Sequence, residues 1–244
     1  MAEQANQLLE EVEFTHRWYR TLLQRLQNDG YDFRGFSDAL GDGDIVLRHD
    51  VDLSVDAAVR MARLEADLGI QSTYCVLLSS PLYNPLEGEY RETLREIDAL
   101  GHEVALHFSS HEHWSEDEEP TGDEIERRVR EERSVLETIV PATETVSFHR
   151  PPSWVLDREF DGFENTYAPA YFSEIGYIAD SSQRWRDDPP AVDDLPGRFQ
   201  LLTHPGLWGE EDMGFEKRVQ MAVTDACNHA NRTARREFTD GGAD

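Results

Sequence analysis

The sequence predicts an α/β protein built on a parallel sheet or barrel, and two observations predict it. Short runs rich in β-branched and aromatic residues alternate with amphipathic helical stretches. Polar residues able to do chemistry recur at one place in that alternation, the carboxyl ends of the strand-like runs, where parallel α/β folds build their sites. The chain has 244 residues, of which 39% are hydrophobic, enough for one large domain or two small ones.

Residues 15–28 read as an amphipathic helix, with Gly30 just beyond its end. The first strand covers 45–49. Ser54 can cap a helix over 55–68 that Gly69 terminates. Residues 71–78 form the next strand, 89–100 a helix ended by Gly101, and 103–108 a strand. Thr121 and Glu124 have capping-box spacing for a helix to about residue 139. A strand over 143–149 is halted by Pro151 and Pro152. Residues 177–180 and 199–203 read as short buried strands, and 215–236 as a long C-terminal helix.

Fifty acidic and 23 basic residues leave a net charge of −27, and Lys217 is the only lysine. That balance disfavours nucleic acid and anionic membrane as partners. No run reaches membrane-span length, so no membrane insertion is expected. Aromatics and strand-like runs are too frequent for a disordered chain. Acidic residues spread along the whole length suit a halophilic protein, in which counterions screen self-repulsion. Cys75 sits in a strand-like run and reads as a small buried apolar residue. No basic-then-apolar leader opens the chain, so a cytoplasmic location is expected.

The densest chemistry is Arg48-His49-Asp50-Val51-Asp52, at the end of the run Ile45-Val46-Leu47. Alternate strand residues share a face, so Asp50 and Asp52 project together. His107 ends another apolar run, and His111 follows one turn later. Two histidines and a carboxylate, His107, His111 and Asp52, would leave open positions on a divalent metal. Zinc is favoured by ligand type; iron, cobalt and manganese accept the same donors. Asp50 is then a candidate general base for a water that the metal activates, although the two aspartates could exchange roles. Pairing with Arg48 is the structural alternative for Asp50.

Phe148-His149-Arg150-Pro151-Pro152 is a second polar cluster at a strand end. Arg150 could pair with a carboxylate at the mouth and hold it ionised. His204, after Leu201-Leu202-Thr203, is a candidate general acid for a leaving amine, with Asp180 placed to orient it. His113 reads as solvent-facing. Trp154, Trp185 and Trp208 lie near strand ends and could stack on sugar faces or pack in the core.

Taken in order, these segments resemble the polysaccharide deacetylases, the carbohydrate esterase family 4 group. The resemblance covers roughly residues 45–208, and it is carried by the segments around Asp50 and Asp52, His107 and His111, Arg150, Asp180 and His204. It implies a distorted (β/α) barrel of about seven strands. It also implies a zinc-type metal on Asp52, His107 and His111, with Asp50 as base, His204 as acid and Arg150 orienting Asp50. On that basis residues 1–40 form an N-terminal helical segment packed on the barrel, 41–238 a catalytic domain, and 239–244 a disordered tail. The family usually has adjacent aspartates, whereas Val51 separates them here.

The expected activity is removal of an acetyl group from an N-acetylated amino sugar, with a carbohydrate or other small acylated substrate as partner. Alternatives are hydrolysis of another non-peptide C–N bond, a non-catalytic carbohydrate-binding module, and a glycosidase using Asp50 and Asp180, which leaves the histidines unexplained. The charge reading has a direct check. Thermal unfolding followed by circular dichroism should shift to higher temperature on going from dilute buffer to molar KCl, and equal stability in both would end the high-salt reading.

Overall fold

The computed structural model describes residues 8, 9, 11–115 and 117–239. Eight strands form one sheet: β1 (Asp32–Arg34), β2 (Asp44–Val51), β3 (Thr73–Leu77), β4 (Glu103–Phe108), β5 (Ala142–Phe148), β6 (Glu164–Asn165), β7 (Gly176–Ala179) and β8 (Phe199–Thr203). Every pairing is parallel, and the order is β6-β5-β4-β3-β2-β8-β7. The eighth strand, β1, pairs with the first half of β2. The seven strands of the main path curl into a half-barrel that stays open between β6 and β7. The turn after β6 spans that gap: Gln200 on β8 donates to the carbonyls of Thr166 and Tyr171, at 2.9 and 2.6 Å.

Among the described residues the longer helices are α1 (His16–Asn28), α2 (Val55–Asp67), α3 (Gly88–Ala99), α4 (Gly122–Leu136) and α5 (Phe215–Ala234), of which α1 to α4 pack on the outer face of the sheet. The expected caps are made. The hydroxyls of Thr15 and Ser54 accept from the amides of Trp18 and Ala57. Thr121 and Glu124 close a reciprocal capping box. The helix expected to run to 139 ends at Leu136, and the C-terminal helix at Ala234, with one wider turn after it. None of the helices among the described residues is long and apolar enough to cross a membrane.

The central strand, β2, is buried on both faces. Its outward residues Ile45 and Leu47 pack on α1 and α2, in a core that holds Phe14, Trp18, Leu22, Trp185 and Trp208. Trp185 and Trp208 are thus core residues. A second core lies where α2, α3 and α4 cover β3 to β5. Cys75 is a free, buried thiol, as its strand context suggests.

Two strands escape sequence reading. β1 has three residues and β6 two, too short for a period of two to register. The first forty residues therefore contribute a strand as well as a helix. Of the tail expected over 239–244, residues 240–244 lie outside the described residues.

The apolar covering is interrupted by a buried polar knot. The Glu65 carboxylate, fully buried on α2, accepts from Tyr19 (2.7 Å), Tyr74 (2.9 Å) and Ser72 (2.6 Å), and lies 2.9 Å from His49 Nε2. His49 Nδ1 in turn meets the Thr203 hydroxyl at 2.7 Å. Burial pushes the Glu65 carboxyl upward, but His49 and the hydrogen bonds outweigh it and hold it below its ordinary value. A depressed carboxyl stabilises the fold above the ordinary glutamate value of 4.5, and that contribution is lost as pH falls below it. Glu65→Ala should cost about 3–5 kcal/mol, because it strands several buried donors. In denaturant titrations the variant should also lose less stability than wild type on acidification below that value.

Candidate active site

Strand alternation gathers the polar residues on the concave side. On β2 the inward positions are Val46, Arg48 and Asp50, and Asp52 follows just past the strand end. His107 lies opposite Ser147 across the β4–β5 pairing. Two residues beyond Ser147, His149 falls on the same face, its amide bonded to the Phe108 carbonyl.

Three ligand-type atoms converge there. Asp52 Oδ1 is 3.1 Å from His107 Nε2 and 3.3 Å from His149 Nδ1, and the two nitrogens are 3.3 Å apart. These three residues form the one potential metal-ligand cluster among the described residues. His107 Nδ1 donates to the Ser147 carbonyl at 3.2 Å, so in the neutral ring Nε2 carries a lone pair. Asp52 Oδ1 is buried and lacks a well-aligned donor among the described residues. Acceptors packed this closely need a proton or a cation between them. Bonds of about 2.0–2.1 Å to one ion would separate neighbouring ligands by about 2.8–3.4 Å between six- and four-coordinate geometries, and the triangle has that size.

The charges are strongly biased. Burial pushes the Asp52 carboxyl upward, yet the His107 and His149 rings hold it well below the usual carboxylate range. Burial pulls the His107 imidazole down, but Asp50 and Asp52 outweigh it and leave it raised. Asp50 is buried deeper, gripped by Arg48 through two 3.0 Å hydrogen bonds, one to each oxygen. The Ser147 hydroxyl donates to its Oδ2 at 3.2 Å. Burial alone would raise Asp50; Arg48 outweighs it and keeps it low.

Opposite, His204 Nδ1 meets Asp180 Oδ1 at 2.6 Å, and its Nε2 lies 3.9 Å from Asp52 Oδ2. Asp180 is fully buried and also accepts from the His204 amide (3.0 Å) and from Trp208 Nε1 (2.8 Å). Burial pulls His204 down, but the Asp180 carboxylate prevails and pushes it up to about 9. Asp180 thus engages one ring nitrogen of His204 and leaves the other facing the cavity.

Three sequence expectations land elsewhere. His111 is outside the triangle; its Nε2 donates to the Arg150 carbonyl at 3.1 Å. Arg150 does not hold Asp50. It is exposed at the mouth with a left-handed φ of 47°, and Arg48, two residues before Asp50 on the same face, takes that place. His113 is not solvent-facing: it stacks on Phe108 and meets Glu132 at 2.6 Å. Trp154 is half-buried beside Trp114. His149, to which the sequence reading gives no ligand role, does carry a signal for one: it is a histidine two positions past an inward strand residue and alongside His107.

A cavity of about 440 Å³ opens on Asp52, His107, His149 and His204. Of the four non-glycine residues with positive φ among the described residues, Arg150 and Ser182 line it; the other two are Asp157 and Gln183.

No family model matches the chain, and no curated protein matches it. Solved structures similar to it include a chitin deacetylase from the fungal pathogen Colletotrichum lindemuthianum, 11% identical, covering 75% of this chain and 81% of that one at a TM-score of 0.45. A family 4 acetyl xylan esterase from Clostridium thermocellum, in complex with a cobalt ion, is 14% identical over 78% of this chain and 83% of that one, with a TM-score of 0.43. A CE4 family pseudoenzyme from Bacillus anthracis is 12% identical over 76% and 60%, with a TM-score of 0.42. At this level of likeness the chemistry has to come from the chain's own side chains.

In metal-free protein, an NMR titration of the His204 ring should give a pKa near 9, falling toward the ordinary histidine value in Asp180→Asn. A raised histidine stabilises the fold fully below its unfolded value of about 6.5 and ceases to do so as pH rises through its folded value. Asp180→Asn should therefore lose most stability just below about pH 6.5, where His204 is charged in both states and Asp180 is still ionised, and least in alkali.

Proposed function

We propose that this chain is a metal-dependent hydrolase of a non-peptide C–N bond, removing an acyl group from an amide nitrogen. The observation that carries the reading is the Asp52–His107–His149 triangle, flanked by one buried carboxylate and one raised histidine. The motif resemblance suggests an N-acetylated amino sugar as substrate.

Asp52, His107 and His149 would hold the ion, and one carboxylate with two imidazoles suits zinc, iron, cobalt or manganese. Bound there, such an ion would lower the pKa of a water and polarise the amide carbonyl. His111 acts one step back in this reading, bracing the turn that carries His149 and Arg150.

The remaining steps belong to the side chains. Asp50, kept ionised by Arg48, accepts the proton released when water attacks the carbonyl carbon. His204 enters protonated, and its Nε2, free of Asp180, gives its proton to the departing nitrogen as the C–N bond breaks. Asp180 holds the ring in that tautomer and steadies its charge. The products are a carboxylic acid and an amine, with no change of oxidation state.

Elemental analysis in high-salt buffer tests the metal and its ligands together. Wild type and His111→Ala should carry about one equivalent of metal, while His107→Ala and His149→Ala should lose it. Acetate release from N-acetylated sugars should fall with the metal by at least about a hundredfold. Wild type that takes up no metal even after incubation with zinc would leave a binding module as the better reading.

A further inference from the structure

We infer that the substrate is a small amide carrying a ring-sized apolar group and a carboxylate, in place of a neutral sugar chain. This rests on the amide-hydrolase reading and narrows it.

The walls of the 440 Å³ cavity include Leu53, Leu156, Phe172, Leu202, Leu207 and Phe215. Deeper in, Tyr167 presents its ring while its hydroxyl accepts from Arg48 at 2.7 Å, within the barrel. Leu202 and Leu207 are nearly fully buried. Beyond the triangle and His204, the neutral polar side chains of the lining are Ser181, Ser182, Tyr167 and Tyr177. A sugar seated against the leucine and phenylalanine wall would leave hydroxyls facing hydrocarbon, and each unpaired buried hydroxyl costs about 1–3 kcal/mol. An acetyl methyl would fill a small part of a space that lies within the usual range of about 300–1,000 Å³ for small-molecule sites. An aromatic or branched aliphatic group matches both the lining and the size.

The rim carries the second requirement. Arg150 lines the mouth of the cavity and makes no ion pair with a carboxylate among the described residues, in a chain of net charge −27. Its left-handed backbone is uncommon for a side-chain-bearing residue, and more so before proline. The His111 hydrogen bond to its carbonyl holds that conformation. A guanidinium held at a pocket mouth without a partner is suited to two parallel hydrogen bonds with a carboxylate. The amide then lies between apolar pocket and Arg150, beside Asp52 and His204.

N-benzoylglycine is the probe, compared with N-acetylglucosamine. Its hydrolysis forms a C–O bond from water to the benzoyl carbon and breaks the C–N bond, and the nitrogen leaves with the added proton. Metal-loaded wild type should turn it over with kcat/KM at least about tenfold above N-acetylglucosamine, a gap of about 1.4 kcal/mol. Leu202→Trp, which fills the cavity, should reverse that preference. Arg150→Gln should raise KM for N-benzoylglycine with kcat nearly unchanged, and should leave N-methylbenzamide unaffected. Calorimetry should show N-benzoylglycine binding to the wild type and weakened binding to both variants, each verified as folded by circular dichroism. Faster turnover of N-acetylglucosamine would overturn this inference while sustaining the hydrolase. Binding of N-benzoylglycine without hydrolysis of either amide would support the pocket and count against the hydrolase. Absence of binding would overturn the inference outright.

Discussion

A single buried cation organises the interior of the half-barrel. Arg48 has no solvent exposure, and all five of its N–H donors are used. Two go to Asp50, two to Thr166 and Gln200 at 2.7 Å each, and one to Tyr167 at 2.7 Å, with the guanidinium 4.7 Å from that ring's centre. An ion this deep carries a desolvation cost of several kcal/mol, which full hydrogen bonding and a bidentate carboxylate offset. The partners come from β2, from β8 and from the turn that crosses the open seam. One guanidinium thus bridges the gap between β6 and β7, keeps Asp50 ionised and presents the Tyr167 ring to the cavity. Lysine could not replace it, since an ammonium has three donors and no planar fork.

The opposite face of the same strand is fixed with equal force. His49, between Arg48 and Asp50 in sequence, faces outward into the Glu65 knot. A one-residue slip of β2 would place His49 in the barrel and Arg48 against apolar α1. Both misplacements leave buried charges without partners, so register here is set by polar chemistry as much as by hydrophobic pattern. That register delivers Asp50 inward and Asp52 to the rim. The strain at Arg150 and Ser182 lies on the same rim, in the turns after β5 and β7, where loops on a rigid sheet can carry uncommon backbone conformations.

Much of this was legible in the residues. The alternation of strand and helix, the caps at Thr15, Ser54 and Thr121, and the co-location of Asp50, Asp52, His107, Asp180 and His204 follow from periodicity and strand ends. What was hidden has physical causes. β1 and β6 are too short to show a period. Whether His111 or His149 completes the triangle depends on the parity of a turn, and the left-handed Arg150 that sets that turn carries no glycine to announce it. Arg48 as the partner of Asp50 was visible as a structural alternative. Its full burial has no local signal, because a buried arginine is rare. The two tryptophans at Trp185 and Trp208 show the same difficulty in reverse. Proximity to a strand end does not say which side of the sheet a side chain covers.

The separation of the two aspartates by Val51 bears directly on their division of labour in the proposed reaction. Adjacent strand residues point to opposite faces, whereas alternate ones share a face at different depths. Asp52, past the end of β2, reaches His107, His149 and the cavity mouth. Asp50, one step lower, is committed to Arg48 and Ser147 through both oxygens, and its Oδ2 stays 3.8 Å from His107 Nε2. A carboxylate so well satisfied is a weak base, because every hydrogen bond it accepts favours its charged form. What it offers is a fixed negative charge beneath the triangle, strengthening any cation held above it and raising the imidazoles alongside. Proton acceptance by Asp50 would then be brief and driven by the next transfer, from His204 to the departing nitrogen. Two groups whose surroundings push their pKa values in opposite directions, a lowered carboxyl below and a raised imidazole opposite, are the arrangement that such a relay of base and acid requires.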